Sequence, residues 1–381
     1  MQAPGPTRPP AARSLLAALF AVAISLPLTA NLAGRDGADP AAENRELASY
    51  PRLAASWSAI AAFGPQLGAW FDDHFGFRST LVRWNAESRL FLLGVSPTST
   101  VVKGDDGWFF YGDDKSIEDY TNAEPMTADA VANWRLAILR ANTFLRARGI
   151  AYVFTIAPDK HGVYDEEMPS TLSRISAVSR TDQLFTALQD TGLAVDVRRP
   201  LEEAKHRERI YQQTDTHWNA RGAFVAYQRI IGAVRARVPT TPPAWTRGNF
   251  EPVERRVAAM DLAGMMGLKR VLEETDLQLV PRRPRRARVI EPPGAAPTAE
   301  EGTLITEIDD PSLPRAVIFR DSFVSRLVPF LSEHFSRAVY LWQNDFDADV
   351  VEREHPDVVI QEIVGRHLYS FIPSPELVPE Q

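Results

Sequence analysis

The chain has 381 residues, 45% of them hydrophobic, which excludes a disordered protein and leaves room for one large domain or two ordinary ones. A net charge of −7 sets the whole-chain field against nucleic acids and other polyanions. The lack of cysteine excludes disulfides, thiolate metal sites and cysteine nucleophiles, so packing alone must supply stability.

Arg8 and Arg13 precede a mostly apolar run from Ser14 to about Ala33. That length approaches the ~20 residues needed to cross a bilayer core, and the preceding arginines favour a cytoplasmic N-terminus with everything after residue 35 exported. Leu28-Thr29-Ala30 loosely resembles a signal-peptidase site, but the long run favours a retained signal-anchor over residues 1–35. Residues 36–50 read as a polar linker, and residues 51–381 as the working domain.

Within that domain, residues 51–125 form a helical and hairpin N-terminal part. "WSAIAAFGPQLGAWFDDHF" and "LVRWNAESRLFLLG" carry apolar residues at helical spacing. "TVVKGDDGWFFYGDD" reads as strand, turn and strand. Residues 126–381 then alternate. "TADAVANWRLAILRANTFLRARG" is helical, "IAYVFTIAP" suits a buried parallel strand, and "SRTDQLFTALQDTG" is helical before "LAVDV". "ARGAFVAYQRIIGAVRARV" is a further amphipathic helix. The strands "RAVIF", "RAVYLWQ" and "HPDVVIQEIV" follow, with "VSRLVPFLSEHF" expected as a helix after the first of them. This order predicts a doubly wound parallel α/β sheet with helices on both faces. Residues 281–302, rich in Pro and Arg, read as a solvated excursion; the sharper reading is a basic strip gripping an acidic polymer or the anionic membrane surface.

Two stretches carry chemistry. "YQQTDTHWNARG" places Asp215 two positions before His217. On a helix the two would point ~200° apart, whereas an extended segment projects them from one face. Asp215 would then fix the tautomer of His217 and leave its other nitrogen as a base, with Asn219 or Thr216 capping the helix that follows. The plain alternative is a solvated histidine at the start of a helix. In "AVIFRDSF", Ser322 lies between a strand and a helix, at the carboxyl edge of the sheet where open α/β folds bind ligands. Backbone N–H groups there would face a developing oxyanion; the plain use of Asp321 or Ser322 is as an N-cap.

"RDSF" resembles the G-D-S nucleophile block of SGNH hydrolases, with Arg320 in place of the glycine and the Asp-His element before the serine instead of after it. That inverted order resembles the alginate O-acetyltransferase (AlgX/AlgJ-like) family, an SGNH-like fold with circularly permuted catalytic blocks. "WFDDHFGFRSTLVRWN", "VVKGDDGWFFYGDD", "IAPDKHGVYDEEMP" and "HPDVVIQEIV" resemble further blocks in the same order, over about residues 65–370. The resemblance implies Ser322 as nucleophile, His217 as general base and acid, and Asp215 as the residue that orients the imidazole. It also implies that Lys160, Tyr164, Arg320, Glu362 and Arg366 line the substrate site.

The implied activity is O-acetylation of an exported or cell-envelope polysaccharide. An integral-membrane acyl-transfer partner would supply acetyl groups to this extracytoplasmic, membrane-anchored chain. An esterase with the same triad and a non-catalytic polysaccharide-binding or assembly subunit are the alternatives. The other histidines have plain readings: His74 at an aromatic helix end, His161 in a loop, and His334 exposed on the helix after Ser322. No spacing such as H-E-x-x-H occurs, and neither a metal nor a cofactor is expected.

Overall fold

The structure, a computed structural model, describes residues 10–32, 46–290 and 302–375. The linker expected at 36–50 therefore lies outside the described residues as far as residue 45, and so does most of the second half of the 281–302 stretch.

The chain divides into two compact units, Met1–Thr98 with Ala263–Leu272, and Ser99–Leu262 with Glu273–Gln381. The first unit contains helix α1 (Pro10–Leu32), α2 (Trp57–His74) and α3 (Arg78–Glu87), the last running on as a π-helical turn over Ser88–Leu92. Ser56 caps α2 by accepting the Ala59 N–H at 3.2 Å. Trp57, Trp84 and Leu92 remain exposed, so the two helices bury less of their apolar surface than their spacing predicts. Among the described residues no helix is long and apolar enough to cross a membrane. The anchor expected over residues 1–35 is accordingly not shown: in α1 the apolar residues are interrupted by Ser14, Ser25 and Pro27.

The second unit is built on a seven-stranded sheet. Its strands are β3 (Ala151–Ala157), β4 (Ala194–Val195), β7 (Arg288–Ile290), β8 (Thr303–Glu307), β9 (Arg315–Arg320), β10 (Arg337–Trp342) and β11 (Val358–Val364). The spatial order is β4-β3-β11-β9-β10-β8-β7. The first five run parallel; β8 and β7 pair antiparallel at one edge, so the sheet is mixed where an all-parallel one was expected. β7 also shows that Arg288–Ile290, within the stretch read as a solvated excursion, is part of the sheet.

The central strands carry apolar residues on both faces, as burial on two sides requires. On β9, Ala316 and Ile318 join one core while Val317 and Phe319 join the other. α4 (Ala128–Arg146) covers the second core with Trp134, Ile138, Ala141 and Leu145, four positions at helical spacing. Thr127 caps it by accepting the Ala130 N–H at 3.1 Å. Opposite, α5 (Ala220–Arg237) contributes Phe224, Tyr227, Ile231 and Val234 to the first core. Each such buried aliphatic or aromatic side chain contributes about 1.5–3 kcal/mol of transfer free energy.

Two antiparallel hairpins complete this unit: β1 (Val101–Lys103) with β2 (Phe109–Tyr111), and β5 (Phe250–Ala258) with β6 (Glu273–Pro281). The first was legible in the sequence and the second was not. The continuous helix expected after Ser322 is instead a 3₁₀ segment (Ser322–Arg326), one α-helical turn (Val328–Leu331) and another 3₁₀ turn (Ser332–His334). Pro329 lacks the N–H a longer helix would need, which restricts helical continuity to the start of the second piece. His334 is fully buried rather than exposed; its Nε2 lies 2.6 Å from the Tyr227 hydroxyl, and burial pulls its pKa down to about 4.

Candidate active site

Residues 211–218 form a loop pinched at its base. Tyr211 and Trp218 make an antiparallel bridge, Gln212 N–H donates to His217 O at 3.2 Å, and Asn219 N–H donates to Ile210 O at 3.0 Å. Asn219 then caps α5, its Oδ1 accepting the N–H groups of Arg221 and Gly222 at 2.9 and 3.1 Å. The loop is bent where an extended segment was expected, and the bend joins Asp215 to His217 by another route. Asp215 Oδ1 accepts the His217 backbone N–H at 3.0 Å and lies 2.6 Å from Nδ1 of the ring. One carboxylate oxygen thus closes an Asx-type turn and holds the imidazole.

The other ring nitrogen, Nε2, lies 2.8 Å from Ser322 Oγ. Asp215, His217 and Ser322 therefore form one hydrogen-bonded chain across two distant parts of the sequence. With Nδ1–H donated to Asp215, the Nε2 lone pair faces the serine hydroxyl. Asp215 is buried, while His217 and Ser322 are half-buried. Burial opposes the charged imidazole, but the hydrogen bond and charge of Asp215 outweigh it and raise the His217 pKa. Burial likewise opposes the Asp215 carboxylate, yet the His217 bond, its charge and Arg326 bring the Asp215 pKa down to about 2. Arg326 Nη2 stands 3.7 Å from Asp215 Oδ2.

The surroundings hold this loop from three sides. Lys160, just after β3, donates from Nζ to the carbonyl oxygens of Gln212, Gln213 and Asp215 at 2.9, 3.1 and 2.6 Å. Glu274 on β6 accepts the N–H groups of Gln213 and Thr214 at 2.7 and 2.9 Å and the Thr214 hydroxyl. Asp261 Oδ2 accepts from Thr216 Oγ1 at 2.7 Å, and that oxygen sits 3.0 Å from His217 Nδ1. Because the Thr216 proton is committed to Asp261, Thr216 acts as a second acceptor toward Nδ1. Trp218 Nε1 donates to Phe323 O at 3.1 Å, tying the loop to the serine segment. No local spacing in the sequence announced Asp261 or Glu274.

The serine turn is fixed by Asp321, whose Oδ1 accepts the Phe323 N–H at 2.9 Å and whose Oδ2 accepts the Val364 N–H at 2.6 Å. Of the alternative N-caps, Asp321 takes the role. The five residues expected to line a substrate site are all buried, 7% exposed or less. Tyr164 Oη accepts the Ile210 N–H at 3.0 Å, and its ring stacks on Trp108. Arg320 donates to Ser325 Oγ at 3.0 Å and lies over the Trp342 ring. Arg366 pairs with Asp159 at 2.6 Å, and Glu362 accepts the Asp321 N–H at 3.2 Å. Buried and engaged in this way, they belong to the interior of the fold and not to its exposed surface.

Among the described residues, two groups bring possible metal ligands within 4.8 Å of one another: Asp119, Asp159 and His161, and Asp215, His217 and Asp261. In the first, Asp159 is engaged by Arg366 and His161 Nε2 lies 2.8 Å from Asp119; in the second, Asp215 and His217 belong to the chain with Ser322, and Asp261 accepts from Thr216.

A mostly parallel sheet with a serine at the carboxyl end of a central strand and an Asp-His element facing it defines an SGNH-hydrolase-like α/β domain. The chain belongs to the family described as the SGNH hydrolase-like domain of acetyltransferase AlgX, which it matches over residues 101–346. It is 33% identical over 140 residues to a probable alginate O-acetylase AlgJ of Pseudomonas putida, covering 35% of this chain and 34% of that one. Against a probable alginate O-acetylase AlgJ of Pseudomonas syringae pv. tomato it is 29% identical over 140 residues, covering 36% and 34%. The chain thus spans about a third of the length of these curated relatives. Bacillus cereus PatB1, solved with a sulfonyl adduct, superposes with a TM-score of 0.52 at 14% identity, over 70% of this chain and 97% of that one. The O-acetyltransferase domain of Pseudomonas putida AlgJ gives 0.47 at 21% identity, over 73% and 96%.

Proposed function

We propose that the chain is an O-acetyltransferase acting on an exported or cell-envelope polysaccharide through Ser322, His217 and Asp215. The observation that carries the reading is the Asp215–His217–Ser322 chain at 2.6 and 2.8 Å; family membership supplies the acyl chemistry. Ser322 Oγ attacks the carbonyl carbon of the acetyl donor while its proton passes to His217 Nε2. His217 then protonates the departing group, leaving acetyl-Ser322. In the second half a sugar hydroxyl attacks that ester, giving its proton to His217, and Ser322 Oγ leaves with the proton returned. Asp215 stabilises the imidazolium in both halves.

Lys160, Tyr164, Arg320, Glu362 and Arg366 support the site from beneath. The arginines before the apolar N-terminal run point to an exported chain tethered by that segment, with an integral-membrane protein handing over the acetyl group. Fractionation of cells with and without residues 1–35 tests the tether.

The reaction is tested with the full chain, a chromogenic acetyl ester and oligosaccharide acceptors, wild type beside Ser322→Ala. Acetylated sugar made only by the wild type is expected, with a loss on the order of 10³-fold or more in the variant. Equal activity in both proteins would overturn the triad.

A further inference from the structure

The nucleophile turn rests on a carboxyl group that the triad does not use. Glu362, near the end of β11, is 1% exposed, and its Oε2 accepts the Asp321 backbone N–H at 3.2 Å. Its other oxygen, Oε1, is buried with no hydrogen-bond donor facing it among the described residues. A carboxylate oxygen left in that state in a dry site carries a large desolvation cost, whereas the acid form turns the same oxygen into a donor. The acceptor it needs is adjacent. Asp321 is buried beside it with a carboxylate that already takes the Phe323 and Val364 N–H groups and has lone pairs to spare.

Resting on the function proposed above, we propose that Glu362 is a positioning residue held as a neutral acid, which donates a proton from Oε1 to the Asp321 carboxylate and so locks the turn that presents Ser322. Burial and the negative charge of Asp321 both favour the acid form, and a hydrogen bond given to Asp321 favours it further. The Asp321 backbone N–H given to Oε2 and the Arg320 guanidinium pull the other way, but both rank below burial and the Asp321 charge. In this arrangement Glu362 accepts from the Asp321 backbone and donates to its side chain, while Asp321 clamps Phe323 and Val364. The strand end, the serine turn and the start of the next segment become one unit. Ser322 itself accepts nothing from Glu362, so the effect reaches the nucleophile only through Asp321.

A glutamine can reproduce both bonds, one with its carbonyl and one with its amide N–H; an alanine reproduces neither. Sulfonylation by phenylmethylsulfonyl fluoride at neutral pH, mapped by mass spectrometry, reads the reactivity of Ser322 without any acceptor or donor partner. Relative to wild type, Glu362→Ala is expected to slow labelling at least about 10-fold, and Glu362→Gln to recover most of that loss. The infrared difference spectrum of wild type minus Glu362→Gln in the full chain is expected to show the C=O stretch of a protonated carboxyl at neutral pH. That band reads the proton even where Glu362→Ala fails to fold.

Glu362→Gln as slow as Glu362→Ala with the fold retained would overturn the proposal, as would a spectrum with no protonated-carboxyl band. Should the wild type sulfonylate Ser322 and show the band yet transfer no acetyl group, the function proposed above fails while the role of Glu362 in presenting the serine holds.

Discussion

The Lys160 ammonium lies 2.6 Å from the carbonyl oxygen of Asp215, inside the loop that carries Asp215 and His217. With two further carbonyls within 3.1 Å, all three N–H donors of Lys160 are spent on the backbone around Asp215. Lys160 therefore shapes the loop and is not positioned to touch a substrate. Replacing it with methionine keeps the stem and leaves three buried carbonyls without their donors. Lys160→Met is expected to lower kcat on the order of 10²-fold through displacement of His217, with KM changing less. A large rise in KM at constant kcat would mean that Lys160 binds substrate instead.

His217 and Lys160 set the pH profile of the proposed reaction. In that reaction His217 must be neutral to accept the Ser322 proton, and Asp215 raises its pKa above the ordinary ~6.5. Activity is thus expected to climb as pH rises through that elevated value. Burial draws the Lys160 pKa down to about 8 against the pull of Asp261, Asp215 and Glu274. Above that pH the amine keeps only two N–H groups for three carbonyls, and the loop loosens. A bell-shaped profile is expected, and Lys160→Met should remove its alkaline limb. Stability has the opposite edge: the depressed Asp215 pKa contributes stability above the unfolded value near ~3.9, which is lost as pH falls toward about 2. Asp215→Asn should therefore flatten the acid side of a melting-temperature profile.

Asp215→Asn also tests the tautomer. An asparagine can present its amide N–H group to Nδ1, which would then carry the lone pair and turn the proton-bearing nitrogen toward Ser322. A loss on the order of 10⁴-fold in kcat is expected with Ser322 and His217 intact. A loss below tenfold would show that Thr216, 3.0 Å from the same nitrogen, suffices to orient the ring.

Much of this site was readable from the chain because the signals are local. Alternation of apolar runs and amphipathic helices announced β3, β9, β10 and β11, and strand-to-helix punctuation picked out Ser322. What was not readable depends on residues that are remote in sequence. Glu274 reaches back sixty residues to Thr214, and Asp261 reaches back forty-five to Thr216. Both come from within or beside a hairpin whose strand β5 is largely exposed and lacks a clear apolar period. The antiparallel edge escaped for a related reason: β7 has only three residues, all exposed, so hydrogen bonding to β8 rather than burial defines it. The Asp215–His217 pairing was anticipated, but through an extended backbone. The bend goes with the three carbonyls gathered around Lys160 and with the Asp215 turn, contacts that no local pattern announces.

Gly222, in the first turn of α5, sets how closely that helix approaches the base of the loop. A Cβ added there would overlap the Ile210 carbonyl oxygen, which already accepts the Asn219 N–H, and would come within 3.0 Å of the Trp218 Cβ. Neither neighbour can yield cheaply, since one is backbone and the other anchors a fully buried indole. Gly222→Ala is expected to cost about 1–3 kcal/mol in unfolding free energy and to depress activity as well, because Trp218 adjoins His217. Gly232 in the same helix supplies the contrast: an added Cβ meets nothing within 4 Å among the described residues. Gly232→Ala should gain about 0.5–1 kcal/mol from helix propensity and leave catalysis alone. Chemical denaturation of the two variants side by side separates close approach from helix propensity, and equal stabilisation by both would show that α5 and the loop base can part without loss.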